Sequence, residues 1–176
     1  MIRELVQLPE SEIYSKQTPL RRTSQRVTDF GQEFQQLVQD LKDTLVAHDI
    51  AIGLAAPQIG KNLRVAVVNI SKDRSEPTMV FANPRDVVWS GKRDKKRESC
   101  MSIPHFGGEV ERRNSVKFTY DDDRGNAREM SATGFLARVF CHEIDHLDGF
   151  LYVDRMKSDA KLESVDFFPK SNAESA

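Results

Sequence analysis

Apolar residues recur at spacings of three and four from Phe30 to Val46, through Phe34, Leu37, Val38, Leu41 and Leu45. This predicts an amphipathic helix of about 20 residues with Thr28 as its N-cap. Before it, residues 1–27 mix Pro9, Pro19 and an Arg21-Arg22 pair with apolar Leu5, Leu8, Ile13 and Leu20. That mixture is too irregular for regular structure and too apolar for disorder, and predicts an arm wrapped over the body. After the helix, Ile50 to Gly60 is broken by two glycines and Pro57 and reads as an apolar, small-residue loop.

Leu63 to Ile70 is dense in β-branched residues and predicts a buried strand; Met79–Ala82 predicts another, stopped by Asn83-Pro84. Short strands are expected at Val87–Trp89, around Val110 and over Ser115–Tyr120, where Val116, Phe118 and Tyr120 alternate. The turn signal Asp121 to Gly125 and a return strand near Ala127–Met130 would complete a hairpin. A second helix is expected from Ser131 or Thr133 to Asp148, with Gly149 just past its end. A short strand at Phe150–Val153 and a polar tail from about residue 155 follow. Without repeats, linkers or a shift in composition, the chain reads as one α+β domain over residues 1–176.

Charge narrows the function classes. Against 27 Asp+Glu stand 26 Lys+Arg, a balance that argues against a cationic nucleic-acid clamp. The run Lys92-Arg93-Asp94-Lys95-Lys96-Arg97 is short and lacks interleaved aromatics, so it is expected as a solvated loop before the Cys100 strand, able at most to steer the protein weakly towards a ribosome. No stretch has the ~20 apolar residues of a membrane span, and the first residues lack a secretory pattern. A cytoplasmic protein is expected, or an organellar one after import. Cys100 and Cys141 are too few for a disulfide scaffold, and each needs its own explanation.

The second helix carries the chemistry. Cys141-His142-Glu143-Ile144-Asp145-His146 contains His-Glu-x-x-His. Residues four apart on a helix lie about 40° apart around its axis, so His142 and His146 can share one metal ion. Glu143 lies about 100° from His142 on the same wheel, beside the metal, where a general base for the attacking water belongs. Phe135 and Val139 fall on the histidine face and line the floor of the site, while Leu136, Phe140, Ile144 and Leu147 make the opposite face apolar. Two histidines and an acid on so buried a helix are costly unless a metal or a polar network satisfies them. A third ligand is needed: a distant Glu or His, or a thiolate such as Cys100, which is equally readable as a small buried hydrophobe.

Three segments together, Gly53-Leu54-Ala55-Ala56-Pro57-Gln58, Glu98-Ser99-Cys100-Met101-Ser102 and His142-Glu143-Ile144-Asp145-His146-Leu147, resemble the signature segments of the peptide deformylases, over roughly residues 20 to 155. The resemblance implies small antiparallel sheets around a central HExxH helix. It implies removal of the N-formyl group from the initiator methionine of nascent chains, with release of formate. It also implies one divalent metal ion, usually Fe²⁺, with Ni²⁺, Co²⁺ or Zn²⁺ able to replace it. Carried over, Cys100, His142 and His146 become the ligands, and Glu143 the group that moves the proton. Gln58 and the Met101 backbone N–H become donors to the developing oxyanion. Ile52, Phe135 and Val139 line the methionine pocket, and backbone at Gly53 and Ser99 pairs with the substrate as a strand does. Asp145 becomes a supporting residue paired with Arg112.

The sequence departs from the family pattern at Ser99 in place of Gly, Met101 in place of Leu, Cys141 in place of Gln and Ala51 in place of Gly. Met101 conserves volume; Ser99 adds a Cβ where substrate backbone would pass; Cys141 points away from His146 and is expected to be a small buried hydrophobe. Two rival readings are an HExxH metallopeptidase, which would not need Cys100, and a catalytically silent relative that binds N-termini without turnover.

Overall fold

The computed structural model describes residues 1–71 and 75–165. Helix α1 (Gln32–Val46) is followed by strands β1 (Gly53–Ala55), β2 (Val65–Val68), β3 (Met79–Cys100), β4 (Ile103–Asp121) and β5 (Ala127–Thr133). Helix α2 (Gly134–Leu147) and a short β6 (Glu163–Ser164) complete the order. All strand pairings are antiparallel, in the order β1-β2-β3-β4-β5, with β6 added to β4. The expected α+β class with antiparallel pairing around the HExxH helix is what is found, with the strands joined in one six-stranded sheet where small separate sheets were expected.

Period-two alternation explains why β2 is buried throughout. Val65 and Val67 face α1, where they meet Leu37, Leu41 and Leu45; Ala66 and Val68 face α2, where they meet Phe140 and Ile144. One sheet is thus covered on both faces, and α2 is held between the sheet and the rest of the chain, buried from Ala137 to Leu147 except at His142. Phe81, Phe118 and Phe140 meet edge to face or tilted with centroids 5.1–5.9 Å apart, a geometry that adds specificity to their burial.

Several expected elements differ. Helix α1 starts at Gln32 with Gly31, not Thr28, as its N-cap; Asp29 accepts from the Gly31 N–H at 2.8 Å, and Phe30 packs on Phe34 from outside the helix. The loop at Ile50 to Gly60 contains strand β1 and a 3₁₀ turn at Ala56–Ile59. The separate strands expected at Met79–Ala82 and Val87–Trp89 are parts of one 22-residue strand, and those around Val110 and over Ser115–Tyr120 are parts of one of 19 residues. Asn83-Pro84 does not stop β3, because Asn83 and Asp86 take left-handed backbone (φ 50° and 52°) and the register shifts there. The Asn83 side chain exchanges hydrogen bonds with the backbone of Val27 at 2.8 and 2.9 Å, which secures this bulge. Lys92 to Arg97 lies in β3, not in a loop, and pairs with carboxylates such as Glu109 and Glu111 of β4. Phe150–Val153 is not a strand; a 3₁₀ turn spans Tyr152–Arg155. The polar tail contains β6, and its part from residue 166 on lies outside the described residues.

The arm wraps as expected. Val6 N–H donates to the Gln58 carbonyl and Leu8 N–H to the Ser102 carbonyl, both at 2.8 Å, while Leu8, Ile13 and Leu20 pack around Cys100, Tyr152 and Val153. It meets the end of α2 where Gly149 turns with φ 80° and a Cβ would overlap the Arg21 carbonyl. Gly149→Ala is therefore expected to lose about 1–3 kcal/mol of stability, read as a lower Tm; an unchanged Tm would show that the arm yields at no cost.

Candidate active site

β3 and β4 are joined by a tight two-residue turn, Met101-Ser102, so the end of β3 folds back against α2. That turn carries Cys100 to the histidines. Cys100 Sγ lies 3.2 Å from His146 Nε2, and one donor atom from each of Cys100, His142 and His146 lies within 4.8 Å of the others. The two imidazoles are edge to face, with centroids 4.9 Å apart. His142 Nδ1 is 3.2 Å from Glu98 Oε2, which leaves its Nε2 for the shared point.

Electrostatics fit such a cluster. Burial pushes the Cys100 thiol up, but the charges of His146 and His142 beside it outweigh burial and hold it well below the ordinary thiol range. A thiolate and two imidazoles form a donor set suited to a borderline divalent ion. Glu143 is buried, with Oε2 free of any hydrogen-bond partner among the described residues, and burial lifts its carboxyl to about 7 against the opposing pull of His142 and His146. It faces Gly53, where any Cβ would overlap the carboxyl. Glycine at 53 is what allows β1 to pass so close.

Gln58 accepts at one end and donates at the other. Its Oε1 accepts the Ala55 N–H at 2.9 Å, which turns its Nε2 towards Cys100 Sγ (3.4 Å) and Ser102 Oγ (3.3 Å). A cavity of about 240 Å³ opens beside these groups. Ile52, Gly53, Ser99, Met101, Phe135 and Val139 line it, as do Gln58, Cys100, His142 and Glu143; His146 lies beneath and is fully buried. β1 forms one edge of the sheet at this cavity, and among the described residues no strand pairs with its outer side.

Behind the Cys/His cluster, Arg112 donates to Asp145 at 2.7 Å, the expected pair. It also holds both oxygens of Glu98, at 2.6 and 2.9 Å. Sequence reasoning gave no role to Glu98 or to Arg138, which bonds the same carboxylate. The available signal was Arg138 itself, the one charged residue in the otherwise apolar first half of α2, four residues before His142. Cys141 is buried beside this network, and burial raises its thiol to about 12, in keeping with a small buried hydrophobe.

The sequence profile described as polypeptide deformylase matches residues 3–162. The chain belongs to the peptide deformylase family. It is 41% identical to peptide deformylase 2 of Vibrio cholerae over 157 residues, 88% of this chain and 92% of that protein. It is 39% identical to peptide deformylase 2 of Gloeobacter violaceus over 144 residues, 81% of this chain and 76% of that one. Among solved structures, a Synechococcus elongatus peptide deformylase in complex with actinonin superposes with a TM-score of 0.80 at 33% identity, covering 89% of this chain and 82% of that one. The Legionella pneumophila enzyme gives 0.78 at 34%, covering 90% and 88%. The activity is that of a deformylase, a hydrolase of formyl-methionyl peptides, and the metallopeptidase alternative falls. The family is metal-dependent, and the Cys/His cluster is where this chain could hold an ion.

Proposed function

We propose that Cys100, His142 and His146 hold one divalent ion, Fe²⁺ by preference, and that Glu143 moves the proton while the formyl group of an N-terminal methionine is hydrolysed. The observation that carries this reading is the convergence of three donor atoms from two elements within 4.8 Å, beside an acid whose Oε2 has no hydrogen-bond partner among the described residues. When bound, the ion would polarise the formyl carbonyl and acidify water.

The chain's own residues do the rest. Glu143 takes a proton from the attacking water and passes it to the amine nitrogen as the C–N bond breaks, giving formate and a free N-terminus; a carboxyl poised near 7 suits both directions of transfer. Gln58 Nε2 and the Met101 N–H donate to the formyl oxygen as it gains charge. Ile52, Phe135 and Val139 receive the methionine side chain. The free edge of β1 at Gly53, with Ser99 opposite, takes the substrate backbone by strand addition, which leaves later residues of the nascent chain unspecified.

Cys100→Ser tests the ligand set. A hydroxyl replaces a thiolate in a site chosen for soft donors, so metal content per chain should fall below about a tenth of wild type after dialysis, and formate release with it. Full metal retention in that variant would remove Cys100 from the ligand set.

A further inference from the structure

One wall of the cavity serves no step of the proposed reaction. Arg138 stands on α2 between the lining residues Phe135 and Val139, and lines the cavity with them although it is buried and charged. Its Nη1 donates to Glu98 Oε1 at 2.6 Å and to the Val110 carbonyl at 3.1 Å. Its Nη2 donates to the Asp94 carbonyl at 2.9 Å and to Asp94 Oδ1 at 2.7 Å. Four bonds to β3 and β4 therefore fix the guanidinium, and two carboxylates balance its charge. An apolar side chain at this position could change rotamer to admit a longer ligand. The guanidinium cannot do so without breaking bonds inside a buried network, where unpaired charge is strongly disfavoured.

We propose that Arg138 is the specificity-determining residue for the length of the substrate's first side chain. Its methylenes give the cavity an apolar wall and its pinned head sets how far that side chain can reach. Depth is thus held by an ion-paired network instead of by soft packing, and Asp94, at the outer end, is the residue that pins it. The inference rests on the deformylase reading of the site, since it concerns which formyl peptide is accepted.

The test compares kcat/KM for formate release from a formyl-methionyl peptide with that from a peptide whose straight-chain first residue is about twice as long. Each additional methylene that gains burial is worth about fourfold. Arg138→Ala should therefore raise the long-to-methionine ratio by at least about tenfold, and Asp94→Ala, which loosens the head but leaves it present, by about two- to fivefold. If Arg138→Ala does not fold, Arg138→Met keeps the stem, removes only the guanidinium and is read by the same ratio. A residue that merely supports Glu98 would lower both substrates together and leave the ratio unchanged, and that result overturns the proposal. Wild-type protein that is active with unchanged variant ratios sinks this inference alone; metal-loaded wild type that releases no formate from formyl-methionine overturns the deformylase reading and this inference with it.

Discussion

Glu143→Gln is expected to lower kcat/KM for formate release by about 10²–10⁴-fold, the range supplied by a positioned proton carrier, while metal content stays at the wild-type level. The amide is nearly isosteric and keeps the close fit against Gly53, but it can neither take the proton from water nor return it to the amine. Stability should move the other way. In the native protein a carboxyl that burial lifts to about 7 has one oxygen without a partner among the described residues, and keeping a charge there is costly. A neutral side chain removes that cost, so the variant's Tm should equal or exceed that of wild type. Loss of activity with metal and fold intact separates a chemical role from a structural one. A variant that retained more than about a tenth of wild-type activity would take the proton-transfer role away from Glu143.

The part of the site lying on α2 was legible from spacing alone, because a helix converts sequence intervals into directions. The His142–His146 interval, the flanking Glu143 and the lining by Phe135 and Val139 follow from one wheel. Cys100 was different. It is distant in sequence, and it reaches the histidines only because β3 and β4 turn at Met101-Ser102, a closure that no local pattern announces. The length of those two strands was hidden for a related reason. Pro84, Gly91 and the basic run from Lys92 look like breaks, yet each interruption is absorbed by a register shift or a positive φ. The hydrogen-bond ladder continues where composition suggests a stop. The same long ribbon places Asp94, Glu98 and Arg112 behind α2, so the polar network could not be assembled before the ribbon was known. Only the Asp145–Arg112 pair could be expected, and that through family resemblance.

Arg112 links these two levels, and Arg112→Ala is expected to be the most destabilising single change in the network, by about 3–5 kcal/mol. The reason is asymmetry. Arg112 grips both oxygens of Glu98 and one of Asp145, all inside the protein. Its removal leaves two buried carboxylates with fewer cations: Arg138 and His142 remain on Glu98, and Arg155, at 2.7 Å, remains on Asp145. For a chain of this length such a loss corresponds to a fall in Tm of about 6–20 °C. Arg112→Lys should recover little, because an ammonium cannot reproduce a planar fork that reaches two carboxylates at once. The effect should also pass to the ligands. Glu98 orients His142 through Nδ1, so weaker anchoring of Glu98 should lower metal affinity by about 10–100-fold, as removal of a ligand's supporting carboxylate does. Calorimetry of the metal-free protein and competition with a chelator measure the two effects separately. A Tm within about 2 °C of wild type, less than a loss of even 1 kcal/mol would produce at this length, would mean that Arg138 and Arg155 alone suffice to hold the two carboxylates.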